Sequence, residues 1–338
     1  MVNAERPLVS MLLACYGQAD VVGDAVRAAL AQTYSPMEIL ISDDASPDAT
    51  FERIQQAVQG YRGPHHITVR RNSENLGISA HFSQLAQLAQ GELLIVAAGD
   101  DISEPQRGER LVAHWLSHGK KPDLIASDLL DIDAQGQVHA VLTHTHLDDW
   151  SVARWLQARP WLVGASHAWS KRLFDRFGPM QRGAEAEDQI MLLRALLSGG
   201  ATTLHEPLVR WRRGGLSAKR RVPDLATLRA AMARGNRATL SALQQHLTDA
   251  AICNQSDLIK AALRSELARA QYTAAMLDPE ASAKNAWQTF VGASDVALGL
   301  RLRLLGYTRL PWLYDPLIRL KAKWKISRHP DAANRPAL

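Results

Sequence analysis

Short apolar runs alternate with helical periodicities through the first two-thirds of the chain. Leu8 to Cys15, Met37 to Ile41, His66 to Arg70, Glu92 to Ala98, Asp123 to Asp131 and Leu204 to Arg210 are the runs, each of strand length. Between them, apolar residues recur at three- and four-residue spacing: Val22, Ala25, Val26, Ala29 and Leu30, then Ala49 to Val58, then residues 78–90. Runs without polar alternation suit strands covered on both faces. Their alternation with helices predicts a doubly wound, mostly parallel sheet of the α/β class. Further helices are predicted over Gln106 to Ser117, over Lys171 to Phe177, and from Glu187, where Ile190, Leu193 and Leu197 share a face until Gly199-Gly200 stops it. Beyond Pro223 the texture changes, and residues 224–275 are rich in Ala, Leu and Arg with no strand signal. The expected organisation is an α/β domain over 1–222 and a helical region over 223–338.

Composition narrows this picture. With 46% hydrophobic and 22% charged residues in 338, the chain can bury a full core. No run of about 18 apolar residues occurs, so no membrane-spanning helix is expected. Leu12-Leu13-Ala14-Cys15 resembles a lipoprotein cleavage box, but Glu5 beside Arg6 balances the leader charge and the run reads as a core strand. Cys15 and Cys253 lie far apart and read as free thiols of a reducing compartment, so the chain is expected in the cytoplasm. The net charge of +5 is concentrated beyond Arg301, where nine bases face only Asp315 and Asp331. That basic tail, interleaved with Trp312, Tyr314 and Trp324, fits peripheral contact with the inner face of a cell membrane, or packing on protein, including a second subunit. No base-reading motif appears, and nucleic acid is not an expected partner.

The chemistry gathers at strand ends. The run Leu93 to Ala98 breaks directly into Gly99-Asp100-Asp101. Adjacent carboxylates at such an end suit a hard divalent metal that bridges phosphates. The glycine fingerprint G-x-G-x-x-G and the loop G-x-x-x-x-G-K-[ST] are both absent, so a nucleotide would be held by side chains and a metal rather than a glycine cradle. His144, His146, Asp148 and Asp149 have zinc-ligand chemistry, but their spacing fits a polar loop better.

Taken in order, these pieces resemble the family 2 inverting glycosyltransferases of the GT-A fold. The matching residues are Ala14-Cys15-Tyr16-Gly17 after the first strand, Gln32-Thr33-Tyr34 before the second and Asp43-Asp44-Ala45-Ser46 after it. Asn75-Leu76-Gly77, Gly91-Glu92, Gly99-Asp100-Asp101 and Glu187-Asp188 follow. The resemblance covers roughly residues 7–218. It implies a GT-A sheet flanked by helices with a C-terminal helical appendage. It also implies transfer of a sugar from a UDP- or dTDP-sugar donor to a hydroxyl of a glycan or lipid-linked acceptor in bacterial polysaccharide or glycolipid synthesis.

The resemblance implies roles position by position. Asp43 accepts from the imide N–H of uracil or thymine, and Asp44 shapes the same pocket. Ala14 and Tyr16 lie beside base and ribose, and Arg71 and Asn75 contact the nucleotide. Asp100 and Asp101 hold Mn2+ or Mg2+, the choice between them being open. Asp188 is the expected general base, with Glu187 the alternative holder. Arg212 and Arg213, on a loop with Gly214-Gly215, are expected to close over the diphosphate. Trp161, His167 and Trp169 are expected at the acceptor, with a core role equally open to the tryptophans. Ala98 stands where the family commonly has an Asp, which also admits a catalytically impaired sugar-nucleotide-binding or scaffold protein. A sugar-nucleotide pyrophosphorylase would carry a Gly-rich basic loop where this chain has Tyr16-Gly17-Gln18-Ala19-Asp20.

Overall fold

A computed structural model describes residues 6–213 and 222–328. The described residues fall into two units, one of residues 6–213 with Thr248–Asn254, the other of residues 222–247 and 255–328.

In the first unit the order is β1 (Val9–Cys15), α1 (Val22–Leu30), β2 (Met37–Asp43), α2 (Thr50–Val58), β3 (His66–Arg71), α3 (Ile78–Leu88) and β4 (Leu93–Ala98). It continues through β5 (Ile102–Ser103), α4 (Arg107–Ser117), β6 (Leu124–Ile132), β7 (Val138–Leu142), α5 (Val152–Gln157), β8 (His167–Ser170), α6 (Lys171–Phe177), α7 (Glu187–Leu196) and β9 (Ala201–Arg212). The sheet runs β3-β2-β1-β4-β8-β6-β9-β5, with β7 attached to β6. It is parallel from β3 to β4 and between β6 and β9, whereas β8 runs antiparallel to both its neighbours. The expected mostly parallel α/β sheet is thus present, with an antiparallel wedge at its centre.

The apolar runs are strands because both faces are covered. Met11 and Leu13 of β1, Ile39 and Ile41 of β2 and Ile95 of β4 pack against Val22 and Val26 of α1 and Leu111 and Trp115 of α4. On β8, Trp169 meets the Phe82 ring of α3 edge-on at 6.1 Å. Asp48 begins the α2 turn by accepting from the Thr50 N–H at 3.1 Å, while Ser46 is used instead by the Gly17 N–H at 2.9 Å.

The remaining elements are helical: α8 (Leu225–Ile252), α9 (Ser256–Leu277), α10 (Ala283–Gly292), α11 (Leu298–Arg309) and α12 (Pro311–Arg328). The second unit has its own apolar cluster, including Tyr272, Met276, Ala286 and Leu304. No helix among the described residues is long and apolar enough to cross a membrane.

Candidate active site

Four strands end level. Cys15 pairs with Asp43 and Asp43 with Arg71, while Ala14 pairs with Ala98. The turn Gly99-Asp100-Asp101 therefore leaves the sheet beside the loops that follow β1 and β2, at the edge where open α/β sheets bind ligands. Gly99 permits that approach, since a Cβ there would lie 2.3 Å from Gln18 Oε1 and 2.8 Å from Cys15 Sγ.

Asp100 is half-buried and Asp101 buried. Burial raises both carboxyls above the ordinary range, and for Asp101 the Asp100 charge adds to the rise. The Arg212 N–H, 2.9 Å from Asp101 Oδ1, and the Arg107 and Arg212 guanidinium groups oppose it. A hydrogen bond from the Gln18 side chain favours charged Asp100. Two such carboxylates in a dry place invite a cation. Among the described residues no cluster of three His, Cys, Asp or Glu forms a metal cage. The pair therefore fits a divalent ion whose shell is completed by phosphate oxygens and water. Of the residues with zinc-ligand chemistry, His144 is committed elsewhere, to the Ser127 carbonyl at 2.6 Å through Nδ1 and to the Val163 N–H at 2.9 Å through Nε2.

A second acid pair heads α7. Glu187 is buried, and burial, then Asp188, pushes its carboxyl up to about 8. Asp188 is half-buried and also raised by burial, while the Gln189 N–H, 2.7 Å from Oδ1, favours its charged form. The two pairs share one connection. Arg107 of α4 is fully buried, and burial lowers it to about 9 against the pull of Asp101. Its Nη1 donates to Ser103 Oγ at 3.0 Å and its Nη2 to the Ala165 carbonyl at 2.8 Å. Ala165 lies in a 3-10 turn, Gly164–Ser166, whose first residue abuts the head of α7: a Cβ on Gly164 would lie 2.3 Å from Glu187 Oε1 and 3.6 Å from Asp188 Cβ. Arg107, Ala165 and Gly164 thus link the acids after β4 to those on α7. Nothing in the sequence marks Arg107, Gly164 or Gln18 for this part.

The folded chain keeps the Glu187 proton from the ordinary carboxylate value of 4.5 up to about 8, whereas the unfolded chain loses it near 4.5. Burying this carboxyl therefore removes stability as pH rises through that window. Glu187→Gln is expected to raise the melting temperature at pH 8 by more than at pH 5; equal shifts would contradict this account.

On the nucleotide side, Asp43 is fully buried and Arg71 is its outward partner, Nε to Oδ2 at 3.0 Å. Asp43 Oδ2 also accepts from the Ser46 N–H at 3.1 Å and Oδ1 from the Ser46 hydroxyl. A carboxylate has about four acceptor sites, so roughly one remains on Oδ1. Asp44 acts through the loop that follows β3. It accepts from Asn72 Nδ2 at 2.7 Å, from the Leu76 N–H on both oxygens at 3.0 Å and 3.1 Å, and from the Gly77 N–H at 3.0 Å, which fills its four sites. Asn75 is exposed and accepts from the Gly77 N–H at 2.9 Å. Ala14 and Tyr16 are half-buried at the end of β1.

Two expectations are corrected. Arg212 is not a loop residue, because β9 stays paired with β6 as far as Ile132 and Arg212, and Arg213 follows the strand end directly. Arg212 is buried, its guanidinium given to the carbonyls of Asp100 at 3.1 Å and Ala134 at 2.9 Å. Arg213 is clasped by Asp131, Nε lying 2.6 Å and 2.8 Å from its oxygens. Gly214-Gly215, the rest of that loop, lies outside the described residues. Second, His167 and Trp169 offer no surface to an acceptor, since β8 is wedged between β4 and β6 and both side chains are fully buried. Burial holds His167 neutral, down to about 3. Trp161 is different: half of it is exposed, and its ring stacks on His144 at 5.0 Å.

Residues 10–123 match the sequence model of the glycosyl transferase family 2. Two curated relatives carry that activity in provisional names. WcaA of Escherichia coli, named for colanic acid biosynthesis, is 31% identical over 135 residues, 40% of this chain. EpsE of Bacillus subtilis is 27% identical over 130 residues, 38% of this chain. In both cases the match spans 46% of the relative, just under half its length. Among solved structures, Staphylococcus aureus TarS in complex with UDP superposes with a TM-score of 0.53 at 12% identity, covering 93% of this chain and 88% of that one. The mannosyltransferase PcManGT of Pyrobaculum calidifontis, in complex with GDP-Man and Mn2+, gives 0.51 at 15%, covering 90% and 86%. At these identities the superpositions speak for the GT-A fold alone. The aligned stretch begins on β1 and takes in the strand ends that carry Asp43, Arg71, Asp100 and Asp101, so the chain carries over residues 10–123 a domain of the glycosyl transferase family 2.

Proposed function

We propose that this chain transfers a sugar, with inversion, from a UDP- or dTDP-sugar to a hydroxyl of a glycan or lipid-linked acceptor in bacterial surface-polysaccharide synthesis. The observation that carries the reading is the connection of two acid pairs through Arg107, Ala165 and Gly164. One pair suits the donor diphosphate and the other the acceptor hydroxyl.

Asp100 and Asp101 would hold Mn2+ or Mg2+, which would supply Lewis-acid neutralisation of charge on the departing diphosphate. The protein supplies the rest. The free acceptor site on Asp43 Oδ1 takes the imide N–H of the base, and Arg71 gives positive charge at the exposed face of the same pair. Arg107 and Arg212, fixed and buried, ease the charging of Asp101, and Arg212 that of Asp100, against the rise that burial imposes on both. Asp188 takes the proton of the attacking hydroxyl as the sugar–oxygen bond to the diphosphate breaks and the new glycosidic bond forms on the opposite face. It is preferred over Glu187 because Glu187 is buried and protonated up to about pH 8. Trp161 offers the exposed ring on which an acceptor sugar stacks. The solved structures of similar fold hold different bases, UDP in TarS and GDP-Man with Mn2+ in PcManGT, so the choice of uracil or thymine rests on the acceptor site of Asp43.

A thermal-shift screen of nucleotide sugars with manganese tests the proposal. A uridine or thymidine donor is expected to raise the melting temperature, a ligand at 100 times its Kd adding about 2.7 kcal/mol of stability. Asp101→Asn is expected to remove the manganese-dependent part. Stabilisation by guanosine donors alone would overturn the base assignment, and none by any donor the whole reading. Donor hydrolysis that manganese does not accelerate would favour the impaired, binding-only alternative.

A further inference from the structure

The outward face of α12 is apolar, the reverse of an ordinary surface helix. Its inner side is occupied: Tyr314, Asp315, Ile318 and Ala322 are half-buried, the Tyr314 ring meets Tyr307 of α11 edge-on at 5.3 Å, and Asp315 accepts from the Leu225 N–H at 2.9 Å. The opposite side presents Trp312 at 72% exposure, Leu313, Leu317, Leu320 at 66% and Trp324. At about 100° per residue these five fall within an arc of about 140°. Lys321 and the Asp315-paired Arg319 are exposed at its two borders. Residues 298–328 hold eight lysines and arginines against one aspartate, an excess larger than the +5 of the whole chain.

We infer that this face docks on the surface of an anionic lipid bilayer, the tryptophans and leucines entering the headgroup boundary while the bordering cations meet lipid phosphates. The charge decides between this occupant and a second copy of the chain. A two-fold dimer through the same face sets its basic border against itself, since an isologous interface pairs each patch with its own copy. An anionic surface complements the border, and each cation near it adds to binding. The helix has 18 residues, among them Pro316, and lies along an interface rather than across it. The inference does not depend on the donor chemistry proposed above, because lipid binding and nucleotide-sugar binding are measured separately.

Co-sedimentation of the full chain with phosphatidylglycerol–phosphatidylcholine vesicles, against phosphatidylcholine alone, is the test. Binding is expected only with the anionic vesicles and is expected to weaken with salt. Trp312→Ser with Leu320→Ser changes only exposed side chains. It is expected to weaken vesicle binding about tenfold or more while leaving the melting temperature unchanged. Lys321→Glu, which leaves the apolar face intact, is expected to weaken binding to the anionic vesicles as well. Equal binding to both vesicle types, or to neither, overturns the inference. So does a dimer in sedimentation velocity that the Trp312→Ser/Leu320→Ser variant dissolves, which would give the face to a second copy.

Discussion

Replacing Asp188 by Asn is expected to lower the rate of sugar transfer by about 10²–10⁴-fold, the usual contribution of a positioned general base, and to leave donor affinity nearly unchanged. The two outcomes separate because Asp188 heads α7, whereas the proposed donor site lies at the ends of β1 to β4. Asn keeps the Oδ1 that accepts from the Gln189 N–H at 2.7 Å, so the helix start is preserved while the proton acceptor is lost. Single-turnover transfer rates alongside calorimetric donor binding measure the split. The pH profile adds a second readout. Burial raises the Asp188 carboxyl, so the acid limb of kcat should fall above the ordinary carboxylate range, and it should disappear from the residual activity of the variant. Glu187→Gln, already close to the protonated form of the native group at pH 7, should cost far less. A variant pair in which Glu187→Gln is the inactive one would move the base to that residue.

How far the sequence foretells this site depends on what each residue answers to. The runs ending in Cys15, Ile41 and Ala98 are legible because strands covered on both faces must be apolar along their whole length, and within two residues of Ile41 and Ala98 paired acids begin. β7 hides in the polar segment after Gln135 because it is an exposed strand on β6, with no face to bury. Strand direction is hidden too: Trp161 to Ser170 reads as apolar, but nothing local makes β8 run against β4. That direction removes His167 and Trp169 from any acceptor. Arg107 is opaque for another reason. A single arginine in the first turn of an amphipathic helix ordinarily reaches solvent, and only the arrival of Gly164–Ser166 from far along the chain buries it beside Asp101. Arg212 and Arg213 read as loop residues because Gly214-Gly215 follows them, yet pairing along β6 carries the strand through Arg212.

The largest effect on stability is expected from a pair without catalytic duty. Arg194 of α7 and Asp249, near the end of α8 and within the same unit, are both fully buried and joined twice, Nε to Oδ2 at 2.8 Å and Nη2 to Oδ1 at 3.0 Å. Arg194 Nη1 also donates to the Gly178 carbonyl at 2.8 Å, so one guanidinium ties α7, the end of α6 and α8 together. Removing one member leaves a charge buried without its partner, which costs about 3–5 kcal/mol. Asp249→Ala should accordingly lower the melting temperature by roughly 6–20 °C. Arg194→Met alone should do the same, while Arg194→Met combined with Asp249→Leu should recover much of the loss, because apolar replacements remove both desolvation penalties together. Arg194 lies on the helix that begins with Glu187 and Asp188, so loosening its anchor should lower kcat more than donor affinity at temperatures where the variant stays folded. If Asp249→Ala shifts stability by less than about 1 kcal/mol, the level of an exposed surface pair, the anchor is not the one described.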